Sequence, residues 1–267
     1  MGIGRTGIHL SLGGILFLVV LSLFGINPLP FLGMATQQQS APEERPADQP
    51  YQESAGEAQY RELAEVTLGE TENTWNKEFE GKYQAPTMVF YSQGTQTGCG
   101  VGQAAMGPFY CPDDQKVYLD LSFFDELAQR FGAQGQLAQA YVIAHEVGHH
   151  VQKLTGTSDK VRAMQERGSK ADANALSVRL ELQADCYAGV WAKDASTRLK
   201  ITPEDMMQAL QAASAIGDDT LQKQTQGRVV PDAFTHGSSA QRQHWFSTGL
   251  KEGNIAACNT FSANAQL

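Results

Sequence analysis

One five-residue stretch constrains this chain more than any other: His145-Glu146-Val147-Gly148-His149, an H-E-x-x-H pattern. It sits inside AYVIAHEVGHHVQKL, and the segment from Gln134 to about Leu154 reads as one helix. On a helix, positions i and i+4 share a face, so both histidines point one way. Tyr141, Val142, Ile143, Ala144 and Val147 make the neighbourhood apolar. Two imidazoles and a carboxylate are not buried there without a partner. The pattern asks for one metal ion held by His145 and His149, with Glu146 beside it and free to reach a water.

A zinc centre of this kind needs a third protein ligand and an open position. The best candidate lies in Glu181-Leu182-Gln183-Ala184-Asp185, again spaced i, i+4 on a long helix from Lys170 to about Arg198. Glu181 would complete a His₂Glu set. Asp185 would accept a hydrogen bond from the far nitrogen of a ligating imidazole and fix its tautomer. Ala184 is small enough for close helix packing at the metal. Taken alone, this segment reads as an exposed acidic face; beside H-E-x-x-H it reads as the missing ligand. His150 lies about 100° round the helix from His149 and is read as structural.

The rest of the chain reads as an α+β domain, mainly helical, with a small early sheet. Further helices are expected at residues 57–80, 204–216 and 239–251, with Pro203 suited to the first turn of the second. Strands are expected at Thr87–Tyr91 and Lys116–Leu121, the second as a sheet edge carrying Tyr118 toward substrate. The four cysteines suggest two bridges in an exported domain, Cys99–Cys111 and Cys186–Cys258. The alternative is four buried thiols. A four-cysteine zinc site is disfavoured because no C-x-x-C occurs.

Ahead of this domain the charge pattern changes. The chain has 267 residues with 20 Lys+Arg and 29 Asp+Glu, yet none of them lies between Arg5 and Glu43. Residues 8–26 (IHLSLGGILFLVVLSLFGI) are long and apolar enough for a transmembrane helix, which Asn27, Pro28 and Pro30 end. The expected layout is an anchor over 1–34, a Gln/Pro/Ser-rich linker over 35–56 and a domain over 57–267. Arg5 places the amino terminus inside and the domain outside, on the periplasmic or extracellular side of a bacterial inner membrane. Cleavage after Gly33-Met34-Ala35 would secrete it instead. The remainder carries −10 and has no Lys/Arg run, which argues against nucleic-acid binding.

The wider segments TGCGVGQAAMGPFYCP, VYLDLSFFDEL, YVIAHEVGHHVQ, ELQADCYAGVWA, IGDD, QGRVVPDAFTHGSS and QRQHWF resemble the bacterial "putative neutral zinc metallopeptidase" family, over roughly residues 57–262. The H-E-x-x-H and E-x-x-A-D pair is similar to gluzincins, and implies a zincin-like domain. The resemblance implies one zinc ion on His145, His149 and Glu181, with Glu146 as the base and Asp185 behind a ligand. His236, before the last helix, falls where zincins often carry a histidine that steadies an oxyanion. The other reading is a surface histidine at a helix start, and His244 is read that way. Arg242 lies near both in sequence.

The function expected is hydrolysis of peptide bonds in a peptide or protein substrate by a zinc-activated water, with Glu146 as general base. Two alternatives stand beside it. One is a non-catalytic, zinc-stabilised binding or scaffold module. The other is a zinc hydrolase acting on cell-wall peptides.

Overall fold

The structure is a computed structural model and describes residues 54–103, 107–132, 135–265 and 267. The apolar stretch at 8–26 and the expected linker to residue 53 lie outside the described residues. Among the described residues, no helix is long and apolar enough to cross a membrane.

Helix α1 (Ala55–Glu78) starts where Ser54 and Glu57 form a capping box, each side chain accepting the other's backbone N–H. That chemistry satisfies two of the amide donors a helix start leaves free. The same device opens α5 (Lys170–Ala195) through Ser169 and Asp172. It opens α6 (Pro203–Ala215) through Thr202 and Asp205, and α8 (Ser239–Glu252) through Ser238 and Gln241. Between them lie α2 (Phe123–Phe131), α3 (Gln136–Leu154), α4 (Thr157–Gln165) and α7 (Asp218–Gln226). The five helices expected from the sequence are present with ends shifted by a few residues. The 9-residue helices α2, α4 and α7 were not expected.

The strands are β1 (Thr87–Tyr91), β2 (Gly94–Thr97), β3 (Gly100–Gln103), β4 (Phe109–Cys111) and β5 (Lys116–Asp120). β2 and β3 form a separate antiparallel pair. The larger sheet has the order β1-β5-β4, with β1 parallel and β4 antiparallel to β5. This corrects the expectation of an edge at 116–121. β5 is the middle strand, and the edge next to the site is β4, in the segment between the two expected strands. Tyr118 is consequently only 2% exposed, and its hydroxyl donates to Asp114 at 2.6 Å instead of facing substrate.

The core is built on α5, which packs between α3 and α8. Its buried run from Leu182 to Ala192 places Trp191 and Ala188 in the main cluster with Tyr141, Ile143 and Phe246. Two glycines allow the α5–α8 crossing. A Cβ on Gly189 would lie 2.1 Å from the Phe246 carbonyl oxygen, and one on Gly249 would lie 1.9 Å from that of Cys186. At the other crossing Gly148 faces Ala184, where an added Cβ would sit 3.1 Å from backbone. Small residues thus bring the H-E-x-x-H helix and the E-x-x-x-D helix together at the level of their polar side chains.

Candidate metal centre

α3 and α5 each contribute to one cluster. His145, His149 and Glu181 offer ligand atoms that all lie within 4.8 Å of one another. The His145 Nε2 is 3.1 Å from Glu181 Oε2, and the His149 Nε2 is 3.4 Å from Glu181 Oε1. Tetrahedral zinc with bonds near 2.05 Å holds its ligand atoms about 3.3 Å apart. The donor set and its spacing therefore fit a zinc ion.

The far nitrogens are both occupied, by unlike partners. His145 Nδ1 donates to Asp185 Oδ1 at 2.8 Å. Asp185 is fully buried and also accepts both arms of Arg242, Nε on Oδ2 and Nη2 on Oδ1, each at 2.9 Å. The Tyr141 hydroxyl donates to the same carboxylate and accepts from Arg242 at 3.1 Å. His149 Nδ1 donates instead to the side-chain carbonyl of Gln152 at 2.9 Å.

Electrostatics follow this layout. Burial opposes ionisation of Asp185, but Arg242 and His145 outweigh it and hold its carboxyl below the usual range. Burial likewise pulls the His145 imidazole down, and Asp185 with Glu181 raises it to about 10 in the metal-free chain. Glu146 moves the other way. Its burial raises the carboxyl above the ordinary value, against the opposing pull of the two histidines. The Tyr110 backbone N–H, on β4, is bonded to that carboxylate.

These side chains open into one cavity of about 700 Å³. Its lining includes His145, Glu146, His149, Glu181 and Arg242, and also His236 from the loop before α8. Phe109 and Tyr110 of β4 line it too, as do Phe123, Val142 and Ile216. His236 is exposed at the rim; its Nδ1 is 3.2 Å from Asp218 Oδ1, which leaves Nε2 for other partners. His150 points elsewhere: its Nε2 donates to the Gln84 carbonyl and its Nδ1 accepts from Tyr110. His244 is exposed on α8. The cysteines pair as Cys99–Cys111 and Cys186–Cys258.

Several residues of the site went unassigned in the sequence. Tyr141 sits one turn before His145, and Gln152 three residues after His149, so helical spacing could have found both. Arg242 offered a weaker signal, a single cation among the buried residues of α8. Asp218 stands in the first turn of α7, a helix the sequence did not announce, and so gave no signal of its own.

Fold and side chains together define a class: a helical domain whose two crossing helices bring a His₂Glu donor set, able to hold a metal ion, beside a buried carboxylate. The chain belongs to the "putative neutral zinc metallopeptidase" family, whose model matches residues 2–261. It is 49% identical over 252 residues to the Escherichia coli K12 protein named "Uncharacterized protein YpfJ", covering 93% of this chain and 86% of that one. It is 45% identical over 192 residues to the Mycobacterium tuberculosis H37Rv protein named "Uncharacterized protein Rv2575", covering 68% of this chain and 64% of that one. The Mycobacterium bovis protein named "Uncharacterized protein Mb2605" matches to the same extent. No solved structure matches the chain.

Proposed function

We propose that this chain is a zinc-dependent peptidase, with zinc held by His145, His149 and Glu181 and with Glu146 as the general base. One observation carries the reading: three donor side chains whose ligand atoms lie within 4.8 Å of one another and the buried carboxyl of Glu146 line the same cavity. When bound, zinc supplies Lewis acidity, acidifying water toward a pKa of about 7 and polarising a carbonyl.

The chain's own residues do the rest. Glu146, raised by burial, accepts a proton from water in the cleft and returns it to the departing amine. Asp185 and Gln152 keep the two imidazoles turned with Nε2 toward the metal. His236, held at Nδ1 by Asp218, presents Nε2 to the oxygen that gains charge. An extended substrate adds to β4, which has a neighbour on one side only among the described strands. Phe123, Val142 and Ile216 give that cleft an apolar place for a side chain.

The proposed layout keeps residues 1–34 as a single-pass anchor, 35–56 as a linker and 57–267 as a domain outside the bacterial inner membrane. The two disulfides support an oxidising compartment.

Elemental analysis and hydrolysis of casein with and without chelator test the proposal. Wild type is expected to hold one zinc per chain, and His145→Ala or Glu181→Ala to lose it. Glu146→Gln is expected to keep zinc and lose hydrolysis by at least 100-fold, the lower end of a general base's contribution of about 10²–10⁴. A zinc-loaded chain that cleaves peptidoglycan fragments and no protein would move the substrate to cell-wall peptides.

A further inference from the structure

We propose that Gln152 and Gln183 are positioning residues, a relay that dictates which nitrogen of His149 faces the metal. The proposal rests on the metal-centre reading above.

The relay starts at two backbone carbonyls, which can only accept. The Cys258 carbonyl accepts from Gln183 Nε2 at 2.9 Å. The Leu180 carbonyl accepts from Gln152 Nε2 at 2.7 Å. Each carbonyl therefore turns an amide NH₂ toward itself and its oxygen away. The oxygen of Gln183 accepts from Gln152 Nε2 at 3.2 Å, which agrees with the same order. The oxygen of Gln152 is then left facing His149 Nδ1 at 2.9 Å, and Nδ1 must carry the proton. A neutral His149 therefore keeps its lone pair on Nε2, the nitrogen that faces Glu181 and would face the metal. Reversing either amide would set NH₂ against NH or oxygen against a carbonyl, in a place where Gln152 is fully buried and Gln183 only 6% exposed. Such a clash cannot be repaired by water.

The far end of the relay is also fixed. Cys258 is bridged to Cys186 of α5, and Thr260 just beyond it donates to the Arg179 carbonyl at 2.7 Å. The carboxyl-terminal segment thus reaches the metal centre through two neutral side chains, without contributing a ligand.

Zinc affinity of the full chain, measured by competition with a chromophoric chelator, tests this. Gln152→Leu is expected to raise the zinc Kd about 10- to 100-fold, the range usual for a ligand's hydrogen-bond partner. Gln183→Met keeps length and packing, makes no hydrogen bond to either histidine, and is expected to raise Kd about 10-fold. The double variant should be no worse than Gln152→Leu, because residues acting in series are not additive. A glutamine that merely packs would lower the Tm of the metal-free chain and leave Kd alone. A second readout is the His149 Nδ1–H resonance of the zinc-loaded chain, expected to be visible in wild type and lost to solvent exchange in Gln183→Met. A Gln183→Met Kd within twofold of wild type overturns the relay. A wild-type chain with no stoichiometric zinc overturns the metal-centre reading instead.

Discussion

The two histidines of the centre are matched in front and opposed behind. Both turn Nε2 to Glu181. Behind His145 stand ions: Asp185, paired twice with Arg242 and capped by Tyr141. Behind His149 stand neutral amides that end on the Leu180 and Cys258 carbonyls. The charged side fixes a tautomer and also sets charge, holding Asp185 ionised and His145 raised. The neutral side fixes a tautomer alone. Burial and His145 pull the His149 pKa down, and Glu181, with Glu146 adding, outweighs them and raises it.

The most direct way to break that contrast is to remove one partner on each side. Arg242→Met takes from the fully buried Asp185 the cation that grips both its oxygens and leaves it only His145 as a cation, and losses of this kind cost about 3–5 kcal/mol. Gln152→Leu removes its bonds to the Leu180 carbonyl, the Gln183 side-chain oxygen and His149 Nδ1 without orphaning a buried carboxylate, and a lost bond of this kind costs about 1–3 kcal/mol. Urea unfolding of the metal-free chains should therefore rank Arg242→Met well below Gln152→Leu. Arg242→Met with Asp185→Leu should recover part of the loss, because no orphan charge remains. Equal losses for the two single variants would show that the ionic side is ordinary packing.

Acidity sharpens the same contrast. In the metal-free chain His145 is raised to about 10, so its stabilising proton is fully in place below the unfolded value of about 6.5. That stability is lost as pH rises through about 10. In chelator, Tm should fall between pH 7 and pH 10, and Asp185→Asn should flatten the fall by removing the charge that raises His145. Zinc must displace the same proton, so its affinity should rise over that range. An Asp185→Asn profile parallel to wild type would break the link between Asp185 and His145.

The two sides also differ in how far they could be read from sequence. His145, His149, Glu181 and Asp185 announce themselves because i, i+4 spacing is a property of one helix, and charged residues on an apolar helix call for partners. Gln152 and Gln183 do not, because an amide gains its meaning from carbonyls 28 and 75 residues away. The fold divides likewise. Long periodic helices were legible, while β4 has three residues and takes its strand character from pairing with β5. Misplacing the edge at 116–121 followed from that, since a two-strand sheet makes every strand an edge. The helices α2, α4 and α7, about two and a half turns each, are too short for a periodic signal to stand out.

His236 extends the comparison to a support at the rim, where the smallest effect is expected. Asp218 Oδ2 accepts the backbone N–H of Thr235 and His236 at 2.7 Å and of Gly237 at 3.2 Å, while Oδ1 faces His236 Nδ1. Burial opposes the charge on Asp218, but the bonds from His236 and these amides prevail and lower its pKa. A depressed carboxyl stabilises the fold above its unfolded value of about 3.9 and loses that stability as pH falls through the folded value. Asp218→Asn keeps one acceptor oxygen and loses the charge, so it should cost about 1–2 kcal/mol at pH 7. Its Tm should also decline less than that of wild type between pH 5 and pH 3. If His236 serves the developing oxyanion, kcat should drop severalfold with zinc content unchanged, because the bonds of Asp218 run to Thr235, His236 and Gly237 and not to the three ligands. Unchanged kcat with a lowered Tm would reduce Asp218 to a loop anchor and leave His236 a surface histidine.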